Sequence, residues 1–359
     1  MTIIVKLNAF LILNFKLNKK MQPSPKILIT GASGFIGSFL VEEALNRGFS
    51  TYAAIRSTSS KAYLKDPRIH LVELNMAHPE RLEQQLREQA ERNGGAFDYV
   101  VHCAGATKCA HPSDFERVNC QQTRTLVDTL IRLGQMPRQF LFVSTLSIFG
   151  PIHEKDYRPI TEHDTPCPNT AYGQSKLHAE QYLQSLPQLP YVIFRPTGVY
   201  GPREKDYFLM AQSIQQHVDF AAGFRRQDLT FVYVKDVVQA VFLAIEKGVT
   251  RRAYLLSDGS VYASRTFSNL LRSELGNPFV VRFKSPLWLL KLICSVAGWV
   301  ATWRGTTSTL NPDKYRIMKQ RNWQCDITPA IKELGYRPAY PLARGVKESV
   351  AWYKQQQWL

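Results

Sequence analysis

Short apolar runs alternate with segments of helical spacing along the first 200 residues. The run Lys26–Thr30 lies between Pro25 and Gly31, which is typical of a strand buried on both faces. Phe35–Arg47 has helical spacing and stops at Gly48, a residue that suits the left-handed turn after a helix. This alternation predicts parallel strands that are joined by right-handed helical crossovers.

The same alternation continues up to residue 200. The further predicted strands are Thr51–Arg56, Ile69–Asn75, Phe97–His102, Gln139–Ser144 and Tyr191–Arg195. The further predicted helices are Pro79–Arg92, Ser113–Leu133 and Thr170–Leu186. The fold class is therefore predicted to be α/β, a doubly wound parallel sheet of the Rossmann, NAD(P)-binding type. Its ligand should bind at the carboxyl ends of the strands.

Beyond Gly201 the alternation loosens into a mixture of shorter elements. The predicted strands there are Phe231–Val234, Ala253–Leu256 and Phe279–Phe283, and the predicted helices are Asp236–Lys247, Thr266–Leu275 and Pro341–Gln355. We expect residues 21–200 to form the dinucleotide-binding domain and residues 201–359 a smaller α+β substrate lobe. Residues 1–20 are expected to be a disordered or wrongly assigned extension, with Met21 as the natural start.

The amino-acid composition and net charge indicate which classes of ligand the protein is expected to bind. The 359 residues are 45% hydrophobic, which excludes wholesale disorder, and carry a net charge of +16. The basic residues are spread along the chain without a nucleic-acid-binding motif, so a solvated basic surface and an anionic ligand are favoured over nucleic acid. The six cysteines show no metal-binding spacing. We therefore expect free thiols, no metal site and a cytoplasmic location.

Two apolar segments raise the question of membrane contact. Ile3–Leu13 is followed by Lys16, Lys19 and Lys20, but it is too short to span a bilayer. Leu287–Trp303, taken as a helix, would be about 26 Å long, which is less than the ~30 Å of a hydrocarbon core. Integral membrane association is therefore not expected, whereas peripheral contact stays open.

A glycine-rich segment connects the first strand to the first helix. Gly31, Gly34 and Gly37 follow the spacing GxxGxxG. The first glycine permits a tight turn, the second lets a pyrophosphate approach the backbone, and the third lets helix and sheet pack closely. The helix N-terminus supplies N–H groups to the phosphates. This context predicts a dinucleotide site that also uses Ser33, Phe35 and Ile36.

The end of the second strand bears on the choice between NAD and NADP. A carboxylate there would bind the ribose 2′-hydroxyl, but the sequence reads Arg56-Ser57-Thr58. The guanidinium of Arg56 suits a 2′-phosphate, and Ser57 adds a hydroxyl. NADP(H) is therefore the favoured cofactor, and NAD(H) is left open.

A tyrosine and a lysine form the candidate catalytic pair. Tyr172 and Lys176 are four residues apart, so they share one face of a predicted helix. A nearby ammonium should lower the tyrosine pKa and make its phenol a usable acid and base. Thr145 follows a predicted strand, where ligands bind.

These motifs together resemble the extended short-chain dehydrogenase/reductase family, which includes epimerase/dehydratase and 3β-hydroxysteroid dehydrogenase-like members. The resemblance begins near Lys26 and extends to the C-terminus. The segments that carry it are Thr30–Gly37, His102–Gly105, Val118–Thr123, Ser144–Gly150, Arg195–Pro202 and Phe231–Val237. The resemblance implies further cofactor contacts from Asn75, Met76, Cys103, Ala104, Gly105, Asn119, Ser144, Tyr172, Lys176, Pro196, Thr197 and Val199.

The resemblance also implies a reaction and an assembly. Hydride would move between the nicotinamide and a carbinol or carbonyl carbon of a small-molecule substrate. Thr145, Tyr172 and Lys176 would be the catalytic residues. The helices Ser113–Leu133 and Thr170–Leu186 would pair across a two-fold axis in a homodimer.

Several functions remain open within this resemblance. Leu146 and Ser147 stand where 4,6-dehydratases carry an Asp-Glu pair, so dehydration is disfavoured. An NADP(H)-dependent oxidoreductase is the main prediction. An NAD-dependent nucleotide-sugar epimerase and a non-catalytic NADP(H)-binding protein are the alternatives.

Overall fold

The computed structural model of the chain describes residues 24–304, 308 and 310–359. The expectations for residues 1–20 and for Met21 lie outside this part of the chain. The strands are β1 (Lys26–Thr30), β2 (Ser50–Ile55), β3 (His70–Glu73), β4 (Tyr99–His102), β5 (Gln139–Val143), β6 (Tyr191–Pro196), β7 (Gly198–Tyr200), β8 (Val218–Ala222), β9 (Asp228–Leu229), β10 (Phe231–Tyr233), β11 (Arg252–Leu256), β12 (Tyr262–Ala263) and β13 (Val281–Ser285).

The helices connect these strands and cover the sheet. They are α1 (Phe35–Asn46), α2 (Pro79–Asn93), α3 (Pro112–Phe115), α4 (Gln122–Arg132), α5 (Ala171–Ser185), α6 (Asp206–Gln215), α7 (Val234–Lys247), α8 (Thr266–Glu274), α9 (Leu287–Trp303), α10 (Pro312–Lys319) and α11 (Leu342–Gln355). A 3₁₀ turn covers Leu146–Ile148, and π-helical turns cover Glu116–Gln121 and Ala330–Leu334.

Seven parallel strands form the central sheet in the order β3-β2-β1-β4-β5-β6-β11. Successive residues of β1 point to opposite faces, because Ile27 and Ile29 join one hydrophobic core and Leu28 joins the other. Helices α1 and α7 supply the first core, and α2, α4 and α5 the second. This confirms the predicted doubly wound α/β fold. The order reverses between β1 and β4, so the ligand crevice is expected there.

The sheet extends beyond residue 200. Strand β11 pairs with β6 in parallel register, from Arg252 beside Val192 to Leu256 beside Pro196. Residues 252–256 therefore belong to the sheet, although the sequence analysis placed them in the second lobe. The rest of that lobe contains two two-stranded sheets, β9–β12 and β8–β13, and its strand β10 pairs with β7, which precedes residue 201.

One predicted helix is interrupted. Instead of a continuous helix over Ser113–Leu133, the chain forms α3, the π-helical turn Glu116–Gln121 and then α4. The wider turn holds Asn119, which is fully buried and bonds to neighbouring segments. Hydrophobic spacing could not reveal this turn, because a π-turn adds one residue without changing the local composition.

Within the part of the chain that the structure describes, no helix combines the length and the apolar character needed to cross a bilayer.

Candidate nicotinamide site

The glycine-rich turn forms a cradle at the end of β1. Gly31 has φ +68°, and a Cβ there would lie 2.7 Å from the backbone nitrogen of Ala104. A Cβ on Gly37 would lie 2.0 Å from the carbonyl oxygen of Gly31. Both positions therefore require glycine, the first for its backbone conformation and for space and the second for space alone.

The N-terminus of α1 points into this cradle without a side-chain cap. Gly34 occupies the N-cap position, and the first turn carries no acidic residue. The first N–H groups of a helix lack partners within the helix and carry partial positive charge. This geometry fits the pyrophosphate of a dinucleotide.

Three predicted catalytic residues line the same cleft. Thr145 follows β5, whereas Tyr172 and Lys176 lie one turn apart on α5. The cleft has a volume of about 450 Å³ and also contacts the cradle through Gly31, Gly34, Phe35 and Ile36. Thr170 caps α5 by accepting the N–H of Gly173 at 3.0 Å. The structure therefore brings the hydroxyl, the phenol and the ammonium together beside the cradle.

Burial shifts the pKa values of Tyr172 and Lys176. It raises the pKa of Tyr172 to about 12, an effect that the Thr145 hydroxyl only partly offsets. It also lowers the pKa of Lys176 to about 8. Lys176 is not among the groups that shift the Tyr172 pKa, so this packing does not support the expected lowering of that pKa by the ammonium. Its Nζ atom instead donates to the carbonyl oxygen of Val143 at 2.7 Å. Tyr172 consequently holds its proton at neutral pH and is suited to donate it.

A buried ion pair fixes the helix that carries the catalytic pair. Glu180 on α5 is fully buried and accepts two bonds from Arg195 on β6, at 3.0 Å from Nε and 2.7 Å from Nη2. Its other oxygen accepts the hydroxyl of Ser144. Because Glu180 lies one turn after Lys176, this network holds the ammonium against the end of β5.

Buried amide and imidazole groups support the opposite wall. Asn119 accepts the Ala106 N–H at 2.7 Å and donates to the Ser175 hydroxyl at 3.0 Å. His102 bridges Thr30 and Thr123 at 2.7 and 2.9 Å, and burial lowers its pKa to about 3. These neutral bonds join β1, β4, the π-helical turn and α5. Asn119 thus positions the 105–107 segment rather than lining the cleft.

An apolar cavity adjoins the cleft and shares Thr145, Pro196 and Thr197 with it. Its volume is about 370 Å³. Its walls come from β8, β10, α6, α8 and α10, with large side chains from Leu146, Met210, Phe220, Leu229, Phe231, Phe267, Ile317, Met318 and Trp323. No lysine, arginine, histidine, aspartate or glutamate lines it among the described residues. The cavity is suited to an apolar group that is held next to Thr145.

Most of the predicted cofactor contacts converge on the cleft. Besides the residues named above, the lining includes Cys103, Gly105, Ser144, Pro196, Thr197 and Val199. The predicted contacts Ser33, Arg56, Ser57, Asn75, Met76, Ala104 and Asn119 lie outside this lining. The wall also includes Glu204 and Asp206, which lie in the segment 203–228, where no sequence motif marks individual site residues. Among the described residues, no group of three His, Cys, Asp or Glu could hold a metal ion.

The chain is similar to known proteins over most of its length. The family model described as "NAD dependent epimerase/dehydratase family" matches residues 27–257. The chain is 25% identical over 351 residues to a dTDP-glucose 4,6-dehydratase of Streptomyces antibioticus, covering 91% of this chain and 92% of that protein. It is also 25% identical over 289 residues to a decarboxylating sterol-4-alpha-carboxylate 3-dehydrogenase of Dictyostelium discoideum, covering 74% and 84% of the two.

The fold is shared with solved structures. One of them is the UDP-glucose 4-epimerase of Thermus thermophilus in complex with NAD. It superposes with a TM-score of 0.72 at 21% identity, covering 92% of this chain and 99% of that one. At this identity the likeness supports the architecture, and activity must be argued from the site itself.

Proposed function

The chain belongs to the NAD dependent epimerase/dehydratase family, and from that premise we propose that it is an oxidoreductase acting on an apolar alcohol or ketone. Enzymes of this type use a nicotinamide cofactor, and the cradle and cleft described above fit one. The observation that carries the proposal is the uncharged apolar cavity next to Thr145.

The reaction follows from three side chains. When bound, the nicotinamide supplies or accepts the hydride at the substrate carbon. In the reduction direction, Tyr172 donates its proton to the carbonyl oxygen, which becomes the hydroxyl of the product. Thr145 would hydrogen-bond that same oxygen, and Lys176 would hold the nicotinamide ribose. The tyrosine recovers a proton from solvent, so the reaction consumes one hydride and one proton for each carbonyl reduced.

Dehydration is not supported by this site. The 3₁₀ turn after Thr145 presents Leu146, a buried apolar residue, followed by Ser147. Neither side chain can serve as the acid or base that water elimination needs.

A nucleotide-sugar epimerase is the second candidate, because similar proteins with nucleotide-sugar names span nearly the whole chain. These comparisons favour this candidate over the oxidoreductase. The cavity lining favours the oxidoreductase instead. A diphosphate is normally bound by arginine or lysine, and no cation lines this cavity in the described structure.

Cofactor turnover separates the two candidates. We would incubate the full chain with NADPH or NADH and either cyclic and long-chain ketones or UDP-glucose, and follow both nucleotide absorbance and sugar products. The proposal predicts stoichiometric cofactor oxidation with apolar ketones. Interconversion of UDP-sugars without net cofactor consumption, combined with no ketone turnover, would replace it with the epimerase.

Arg56 is predicted to select NADP(H). It follows β2 directly, is exposed and has no ion-pair partner among the described residues. A guanidinium–phosphate bond should favour NADPH over NADH by roughly 10- to 100-fold in Kd. Arg56→Asp should reverse that order through charge repulsion, as measured by titration of cofactor fluorescence.

The matched control for this prediction is Arg92→Asp, a charge reversal at another exposed arginine, near the end of α2. It should leave the cofactor preference unchanged. Equal affinities of the parent protein for NADPH and NADH would contradict the role of Arg56.

The homodimer stays a prediction. The exposed faces of α4 and α5 carry polar groups, some of them already paired, such as Asp128 with Tyr182 and His178 with Glu116 of the π-helical turn. An interface on these helices would therefore be polar. Sedimentation at micromolar concentration tests it, and a monomeric mass would contradict it.

A further inference from the structure

Helix α9 is apolar on two opposite faces. Leu290 and Cys294 are buried against the rest of the protein. On the other side lie Trp288, Leu292, Val296, Trp299 and Trp303, spaced by four, four, three and four residues, so that they form one stripe. We call these five residues the tryptophan stripe.

The tryptophan stripe is strongly exposed. The three tryptophans are 70%, 70% and 77% exposed, and Leu292 and Val296 are 56% and 52% exposed. A helix that is apolar all round normally lies in a protein core or in lipid. The neighbouring sheet of β8 and β13 also exposes apolar side chains, namely Phe220 on β8 and its cross-strand partner Phe283 on β13. Large apolar side chains that are exposed side by side in this way are typical of a binding surface.

Unpaired positive charge lies beside the stripe, although two nearby arginines are paired: Arg282 with Asp219 of β8 and Arg316 with Asp313 of α10. Residues 275–312 contain Arg282, Lys284, Lys291 and Arg304 but no aspartate or glutamate. A second copy docking through this face would bring like charges together, whereas an anionic partner would be attracted.

A cationic cavity opens beside α9. It has a volume of about 400 Å³ and is lined by Lys291 and Ser295 of α9 and by Tyr315, Arg316 and Lys319 of α10, among others. Lys291 and Lys319 have no acidic partner within 4.0 Å among the described residues. The one carboxylate in the lining, Glu154, accepts the N–H of Arg321 at 2.8 Å. This cavity has the chemistry of an anionic headgroup site.

We propose that α9 docks this protein onto an anionic phospholipid bilayer, with the tryptophan stripe at the headgroup boundary and Lys291 and Lys319 on lipid phosphates. Tryptophan is enriched at such boundaries because its ring is apolar and its N–H needs a polar partner. At 17 residues α9 is suited to lie in the interface rather than to cross it. Phe220 and the α10 residues Ile317 and Met318 also line the apolar cavity, so the docked face adjoins the site.

The test is co-flotation of the full chain with vesicles of phosphatidylcholine alone or mixed with phosphatidylglycerol. We expect binding to the anionic vesicles that weakens as salt is raised, since the cations are screened. Trp288→Ser/Trp299→Ser should weaken binding by roughly tenfold or more. Lys291→Glu/Lys319→Glu should weaken it by at least roughly fivefold per cation.

The matched control is Val261→Ser/Ile331→Ser, which removes two apolar side chains of 49% and 45% exposure that do not belong to α9. It should bind vesicles as the parent protein does, and thermal melts check that all variants fold. Failure of the parent protein to bind anionic vesicles overturns the proposal.

Two further outcomes would contradict the proposal and give the tryptophan stripe or the membrane anchor a different assignment. A concentration-dependent dimer that Trp288→Ser/Trp299→Ser abolishes, without vesicle binding, would make the stripe an interface between copies. Binding that survives the tryptophan substitutions but disappears in a chain starting at Met21 would place the anchor in the first twenty residues. Neither outcome depends on the enzyme's substrate, so failure here is separate from failure of the proposed function.

Discussion

Tyr172→Phe is expected to lower turnover on a ketone substrate by roughly 10²- to 10⁴-fold, the range associated with general acid–base catalysis. The substitution removes the phenolic proton but keeps the ring, which packs edge-on against Phe115 with centroids 6.1 Å apart. Cofactor affinity should therefore change little. Steady-state kinetics with a fluorescence titration of the cofactor measure both quantities.

Substitutions of the other two proposed catalytic residues should affect turnover and cofactor affinity in different ways. Lys176→Ala should lower both turnover and cofactor affinity, because the ammonium is assigned to the ribose as well as to the site. Thr145→Val should mainly reduce turnover, since it deletes one hydrogen bond to the reacting oxygen. If Tyr172→Phe retains parental turnover on a genuine substrate, Tyr172 is not the acid and the pair is an ordinary helical contact worth a few tenths of a kcal/mol.

The protonation state of Tyr172 predicts how the rate of proton transfer to the carbonyl oxygen depends on pH. Because burial raises the Tyr172 pKa to about 12, the phenol is protonated across the neutral range. Reduction needs this proton, so its rate should fall only as the pH rises toward that pKa. Oxidation needs the deprotonated phenol and should become faster with rising pH. A reduction rate that increases with pH between 7 and about 9 would argue against Tyr172 as the proton donor.

Arg195→Met is expected to destabilise the fold by about 3–5 kcal/mol. The substitution leaves Glu180 buried with only the Ser144 hydroxyl as a partner, and an uncompensated buried carboxylate is costly. Urea unfolding followed by circular dichroism measures the change. Because Glu180 lies one turn from Lys176, activity should fall along with stability.

A double variant distinguishes the cost of losing the ion pair from the cost of leaving the Glu180 carboxylate buried without its partner. Glu180→Met/Arg195→Met removes both charges and should recover much of the stability lost in Arg195→Met alone. Arg87→Met breaks the exposed pair with Glu83 on α2 and should cost less than about 1 kcal/mol. A loss in Arg195→Met no larger than that of Arg87→Met would show that the buried pair does not secure α5.

Local sequence determined the cradle and the alternation of buried parallel strands with helices. Gly31, Gly34 and Gly37 specify a turn whose backbone geometry and close packing tolerate no side chain at the first and third positions. The apolar runs before and after this turn specify buried parallel strands, because a strand covered on both faces must be apolar throughout. Tyr172 and Lys176 share a helix face by their spacing alone, so their appearance in one cleft could be predicted.

Only the tertiary structure decided the environment of those residues. The sequence predicts an ammonium that acidifies Tyr172, but packing turns Lys176 toward the Val143 carbonyl, and burial raises the tyrosine pKa instead. Strand β11 enters the central sheet because it pairs with β6, a long-range contact that no local pattern encodes. Both faces of α9 are apolar in sequence, and which one is covered depends on the elements packed against it. Local spacing encodes backbone geometry and helix faces, whereas desolvation, charge partners and exposure arise from segments far apart in the chain.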